Sequence, residues 1–209
     1  MVSSGTLIAF AIVSLGMVCS PGPNMIYLLS RSVSQGRAAG VVSLLGVILG
    51  FVFYIIATML GLSALFLIVP YVYETVKWAG AVYLLWLAWN SVKPGAASIF
   101  KPHTLSVEPP KKLFLMGFMT NLLNPKIAVL YVSLLPQFVD PSRGSVLLQS
   151  ATLGLTQIVV SFAVNLLIVL AASNVASWFG TRPMWLRMQQ WLMASVLTGL
   201  AARLAFDRR

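Results

Sequence analysis

Long uncharged runs alternate with short basic clusters along this chain. No Asp, Glu, Lys or Arg occurs from Met1 to Ser30, from Ala38 to Tyr73 or from Gly144 to Thr181. Shorter runs of the same kind cover Trp78 to Val92, Met188 to Ala202 and, interrupted only by Lys126, Leu113 to Val139. A helix crossing the hydrocarbon core needs about 20 predominantly apolar residues. The runs therefore predict an all-α, polytopic membrane protein of six transmembrane helices, near 5–30, 40–66, 72–92, 113–137, 146–174 and 184–205. The sixth is bounded by Arg187 and Arg203, whose long side chains can snorkel to the headgroups. The first has no basic residue ahead of its apolar run and leads into Ser20-Pro21-Gly22-Pro23-Asn24, not a small-residue cleavage site. It is expected to be a retained helix, not a signal peptide.

Composition excludes the other broad classes. Of 209 residues, 59% are hydrophobic and only 9% charged, against about 25% charged in ordinary globular chains. That is too little charge for a water-exposed surface and too much apolar content for disorder. Fourteen Lys and Arg against four Asp and Glu leave a net charge of +10. The basic residues sit in short clusters between apolar runs, which suits loops beside a lipid bilayer and not a nucleic-acid surface. The single cysteine, Cys19, rules out an intramolecular disulfide framework, a dithiol pair and a cysteine-rich metal site; Cys19 is expected to pack as a small apolar residue. No metal or cofactor is expected.

Lys93 to Lys112 contains four prolines, four lysines, His103 and Glu108. It reads as a flexible linker, with three helices before it (1–92) and three after it (113–209). Loops one, three and five carry eight basic residues: Arg31, Arg37, Lys93, Lys101, Lys111, Lys112, Arg182 and Arg187. The other side carries five, Lys77, Arg143, Arg203, Arg208 and Arg209. The positive-inside rule then puts the odd loops in the cytoplasm and both termini outside.

The two halves echo each other. Trp78-Ala79-Gly80-Ala81-Val82 resembles Trp191-Leu192-Met193-Ala194-Ser195. The first and fourth segments each contain a proline-interrupted polar step, Ser20-Pro21-Gly22-Pro23-Asn24 and Asn121-Leu122-Leu123-Asn124-Pro125-Lys126. Three helices per half would insert the halves in opposite senses, giving two inverted three-helix repeats. Matched interruptions in such repeats point to a transport site. Proline suits the first turn of a new half-helix with Ser or Asn before it as N-cap, and both Ser20-Pro21 and Asn124-Pro125 fit that expectation. Half-helices starting inside the membrane would aim backbone donors and partial positive charge at a substrate carboxylate; kinked helices with no such role are the alternative.

Lys126 is an ammonium well inside a predicted span, where a charge normally faces a partner or a wet cavity. It reads either as a ligand for a substrate carboxylate or alternating proton carrier, or as a lysine that snorkels out or bonds carbonyls freed by Pro125. Gly46 and Gly50 have the spacing that lets helices approach closely. Packing inside one protomer is the preferred reading, a homodimer face the other. Most of the tryptophans lie near predicted ends, as an interfacial belt would.

These blocks resemble the LysE/RhtB-type amino-acid exporters. Gly16 through Gly50, with Ser20-Pro21-Gly22-Pro23-Asn24, is similar to that family's N-terminal signature. Asn121 to Lys126 followed by Pro136-Gln137-Phe138 is similar to its second, and Lys77 to Leu87 to its third helix. The resemblance implies efflux of amino acids or close derivatives across a bacterial inner membrane, often by proton antiport. Family members often carry an ionisable group near Tyr54 and an acid near Ser161; this chain has neither, which disfavours cationic substrates and leaves proton coupling open.

The expectation is a carrier, not an enzyme, with a small-molecule substrate held between the halves by alternating access. Asn24 and Asn124, with backbone donors beside Pro23 and Pro125, would orient the substrate, Lys126 would meet its carboxylate, and Gln157 and Asn165 would line the path. An uncoupled passive channel or a non-transporting membrane partner is the alternative.

Overall fold

A computed structural model describes residues 2–20, 22–68, 78–79, 81–86, 88–89, 92–93, 106–172 and 183–206. Every regular element among them is helical. Ser3 caps the first helix, α1 (Ser4–Cys19), its Oγ accepting from the Thr6 amide at 3.1 Å. The helix stops where Ser20 turns extended, as expected of a residue preceding proline. The second, α2 (Pro23–Gln35), restarts from Gly22 with Pro23 in its first turn and no side-chain cap. Ser20 thus closes α1 and does not open α2, contrary to the expected Ser20-Pro21 cap: the second proline, Pro23, is the one with the preset φ and dispensable N–H of a first helical position.

Gly36 joins α2 to α3 (Arg37–Ile68) at φ 86°, a left-handed conformation that favours glycine. After the linker, α4 (Pro110–Leu122) ends at Leu123, and α5 starts at Pro125. Asn124 does cap α5 as expected, its Oδ1 accepting from the Lys126 amide at 3.0 Å. The helix then loosens to a π-turn over Leu130–Leu134 and tightens to a 3-10 turn over Leu135–Phe138; Pro136, which cannot donate to the ladder, accounts for the change of pitch. Capped by Ser145, α6 runs Val146–Leu170, and α7 spans Pro183–Phe206.

Among the described residues two helices are long and apolar enough to cross a membrane, within Arg37–Gly61 and at Val146–Leu170. There are four spans if each bent pair counts as one: α1 with α2, bent by 56°, and α4 with the segment to Phe138, bent by 52°. The predicted breaks in the first and fourth segments are therefore real bends. The predicted third span falls largely outside the described residues, although 78–79, 81–86 and 88–89 are helical. The sixth corresponds to α7, whose two arginines and two glutamines keep it outside that set.

Helices α3 and α4 make the most extensive pairing, and glycine is the reason. A Cβ at Gly46 would overlap the Phe114 carbonyl, and one at Gly117 the Ser43 carbonyl. A Cβ at Gly50 would lie 2.6 Å from Asn121 Oδ1. The Gly46/Gly50 pair is thus spent on packing within one protomer.

The two ends of the bundle differ. At one, α2 meets the end of the linker and the start of α4: Gln35 Nε2 donates to the Glu108 carbonyl at 2.8 Å and Tyr27 Oη to the Leu113 carbonyl at 2.7 Å. At the other, an open cavity of about 670 Å3 separates the start of α1, with Ser3 and Thr6, from Gln137–Arg143 and Gln149. Asp140 there accepts from the Ser142 amide and hydroxyl and faces Arg143 at 3.0 Å. These bonds, with Ser142 the largest contributor, hold its carboxyl below the usual carboxylate range.

Candidate functional site

The two breaks meet at the centre of the bundle. Lys126, only 5% exposed, extends from the first turn of α5 to the end of α1. Its ammonium donates to the Met17 carbonyl at 2.9 Å and the Ser20 carbonyl at 2.6 Å. These are carbonyls left over at a helix C-terminus, which is also the negative end of the helix dipole. The sequence leaves Lys126 as a carboxylate ligand or alternating proton carrier, or as a lysine that snorkels out or bonds carbonyls freed by Pro125. The carbonyls it takes in the structure belong instead to the other half of the chain, at the end of α1. Gly22 leaves room for this: a Cβ there would stand 3.0 Å from Nζ.

Beside the ammonium lies a buried cavity of about 20 Å3, walled by Met17, Ser20, Asn24, Phe51, Lys126, Gln157 and Asn165 among others. Four of the expected site residues, Asn24, Lys126, Gln157 and Asn165, therefore share one cavity, drawn from α2, α5 and α6. Pro23 and Pro125 set the first turns of the helices that deliver Asn24 and Lys126. Asn124 is 1% exposed and engaged as the α5 cap, with its amide nitrogen unpartnered; it does not line the cavity.

Several polar groups here are only half satisfied. Gln157 Nε2 donates to Ser161 Oγ at 2.8 Å and Asn165 Nδ2 to the Ser161 carbonyl at 2.8 Å. The remaining oxygen of Gln157 has no partner, and neither does Asn24 Oδ1. Leaving a buried acceptor unpaired costs about 1–3 kcal/mol, so these two oxygens favour any N–H or O–H donor that enters the cavity.

Sequence reasoning missed one cavity residue, Phe51, and one buried polar neighbour outside its lining, Asn121. Phe51 lines the cavity with Met17, Val18, Met25 and Ile127 and lies in an unbroken apolar run that gave no sign of it. Asn121, fully buried against Gly50 with both amide atoms unpartnered, was visible only as a polar residue in the second motif. Tyr54, where the resembling family often carries an ionisable group, donates to the Leu122 carbonyl at 2.8 Å and ties α3 to the second break. Ser161 supports Gln157 and Asn165 where the family often has an acid.

Comparison with known proteins identifies the family. The LysE type translocator family matches residues 15–208. The chain is 28% identical to a leucine efflux protein of Klebsiella pneumoniae over 189 residues, 90% of this chain and 89% of that protein. It is 33% identical to a homoserine/homoserine lactone efflux protein of Salmonella typhimurium over 171 residues, 81% of this chain and 82% of that one. A leucine efflux protein of an Enterobacter strain is 26% identical over 90% of each chain. No solved structure matches. The chain belongs to the LysE type translocator family, whose named members are efflux proteins and not enzymes, and it is a multi-pass membrane protein.

Proposed function

We propose that this LysE type translocator exports amino acids or close derivatives, neutral ones in preference, through the cavity where its two helix breaks meet. The observation that carries the proposal is the convergence of Asn24, Lys126, Gln157 and Asn165 on one buried cavity. The substrate class is supported by the relatives, named for efflux of leucine and of homoserine and its lactone. A zwitterionic head would set its carboxylate on Lys126 and its ammonium on the unpartnered oxygens of Asn24 and Gln157. Asn124 would hold Lys126 in place by keeping α5 capped, and the backbone donors beside Pro23 and Pro125 would help orient the head. No carboxylate lines the cavity among the described residues, so a lysine or arginine side chain would find no counter-charge.

A volume of about 20 Å3 holds a single water and no amino acid. Transport therefore needs the walls to separate. A substrate carboxylate would draw Lys126 from the Met17 and Ser20 carbonyls and so loosen the first half from the second. Alternating access would follow from rocking of 1–92 against 113–209, the two inverted repeats, about the linker 93–112. The basic odd loops would face the cytoplasm and the termini the periplasm of a bacterial inner membrane. Any proton coupling would run through Lys126. A passive channel is the second reading, favoured by the lack of a coupling carboxylate among the described cavity residues.

Counterflow in proteoliposomes tests the proposal. Vesicles preloaded with unlabelled leucine, homoserine, lysine or arginine are offered the labelled form of each. Accumulation of leucine or homoserine above lysine and arginine is expected. Preference for the cationic pair would overturn the neutral selectivity, and flux without saturation or exchange would turn the assignment to a channel.

A further inference from the structure

Arg31, at the end of α2, is 4% exposed, yet its contacts do not suit a buried cation. Nη1 donates to the Ser106 carbonyl at 2.9 Å and to Gln35 Oε1 at 3.4 Å. Nη2 reaches the Met116 thioether, at 3.8 Å, the Tyr27 hydroxyl lies within electrostatic reach of the guanidinium, and Nε has no partner. Its charge also sits 6.0 Å from the Tyr27 ring centroid. Every acceptor is neutral. Glu108, the carboxylate close enough to feel this charge, is taken by Lys112 at 2.9 Å and by Ser106 Oγ at 3.1 Å. The hydrogen bond from Lys112, chiefly, holds the Glu108 carboxyl below its usual range.

A buried guanidinium without a carboxylate forfeits its strongest interaction, the bidentate pair. The edge that such a pair uses, Nε with Nη2, is the edge where Nε is unpartnered and Nη2 meets a thioether. Beside it, on the Nη1 side, runs the segment Ser106–Pro109, pinned to α2 by the Arg31–Ser106 and Gln35–Glu108 bonds. At this end the described bonds join the first half to Ser106 and Glu108, whereas the opposite end carries the open cavity beside Asp140.

We propose that the Nε/Nη2 edge of Arg31 is a second binding station, specific for the carboxylate of the exported amino acid, at the linker end of the path. It rests on the export proposal for its ligand. Because Arg31 is buried, a carboxylate reaches the edge only when a neighbouring segment moves, and Ser106–Pro109, tied to α2 through Nη1 and Gln35, is the segment assigned to lift. Binding therefore stabilises the lifted strap and opens this end, and the ligand passes from Arg31 inward to Lys126. Both stations are cations matched to the same anionic group.

Pulsed electron-spin distance measurement on the full chain in lipid nanodiscs reads the strap directly. Spin labels at Ala38→Cys and Val107→Cys, in a Cys19→Ala background, flank the seam without touching its bonds. Leucine is expected to shift the distribution to longer distances. Leucinamide, with the same side chain and ammonium but no carboxylate, leaves it unchanged. Arg31→Gln gives the longer distance without ligand and no response to leucine. Arg31→Lys keeps the charge without the fork and needs about tenfold more leucine for the same shift. An Arg31→Gln distribution identical to the wild-type one overturns the strap. An equal shift with leucinamide, or none with leucine, overturns the carboxylate station even where leucine counterflow is intact. A leucine shift in protein that shows no counterflow for any amino acid leaves the station standing and removes the export proposal.

Discussion

The two helix breaks look alike in sequence and differ in chemistry. Each follows an apolar run, contains proline and asparagine, and bends its span by a similar angle, 56° and 52°. The first break, however, offers acceptors, the carbonyls of Met17 and Ser20, and its new helix starts on Gly22 without a side-chain cap. The second offers the donor, Lys126, on a helix whose first turn Asn124 caps. The breaks are complementary, not duplicate, and that complementarity lets one ammonium bridge the two halves of the chain. Half of each pair of interactions at the centre therefore depends on main chain and half on side chain, a distinction that substitution can expose.

The largest effect is expected where the frame holding the breaks together is pried apart. Gly117→Val would drive a side chain into the Ser43 carbonyl, where backbone cannot yield. A loss of about 3 kcal/mol, or failure to recover folded protein, should be seen in thermal unfolding in detergent. Asn124→Ala removes the only side-chain cap at either break and should cost about 1 kcal/mol in the same assay, with reduced counterflow as Lys126 loses its placement. Gly22→Ala puts a methyl 3.0 Å from the Lys126 ammonium. The lysine end can shift, so about 0.5 kcal/mol of stability is expected to go, and the effect should appear chiefly in the apparent KM. Ser20→Ala is the contrast with Asn124→Ala: Ser20 contributes its carbonyl, which alanine keeps, and stability should change by less than about 0.5 kcal/mol. Equal effects of the last substitution and Asn124→Ala would erase the difference drawn between the breaks.

How far this was legible in the sequence follows the range of the interactions. Absence of charge over 38–73 and 144–181 was enough to place α3 and α6, because hydrophobic length alone decides a span. The prolines located both bends, since loss of a backbone donor is a local property. Which residue would cap α2 was misjudged: with two prolines in Ser20-Pro21-Gly22-Pro23, the pattern does not say which begins the helix. The partners of Lys126 lie more than 100 residues away and no local pattern could name them. The same holds for Phe51, an apolar residue among apolar residues until α3 crosses α5. Glycine spacing announced close packing, but only the crossing of α3 with α4 showed which helix it served.

Lys126→Met in the counterflow assay tests the central claim most directly. Methionine keeps much of the length and apolar stem while removing the ammonium that joins the breaks and would receive the substrate carboxylate. Two charge-assisted hydrogen bonds are lost, each of about 1.5–3 kcal/mol. The account predicts a fall in leucine or homoserine counterflow of about a hundredfold or more, in protein that still elutes as a folded species. Counterflow at the wild-type rate, from a variant shown to be folded, would contradict it.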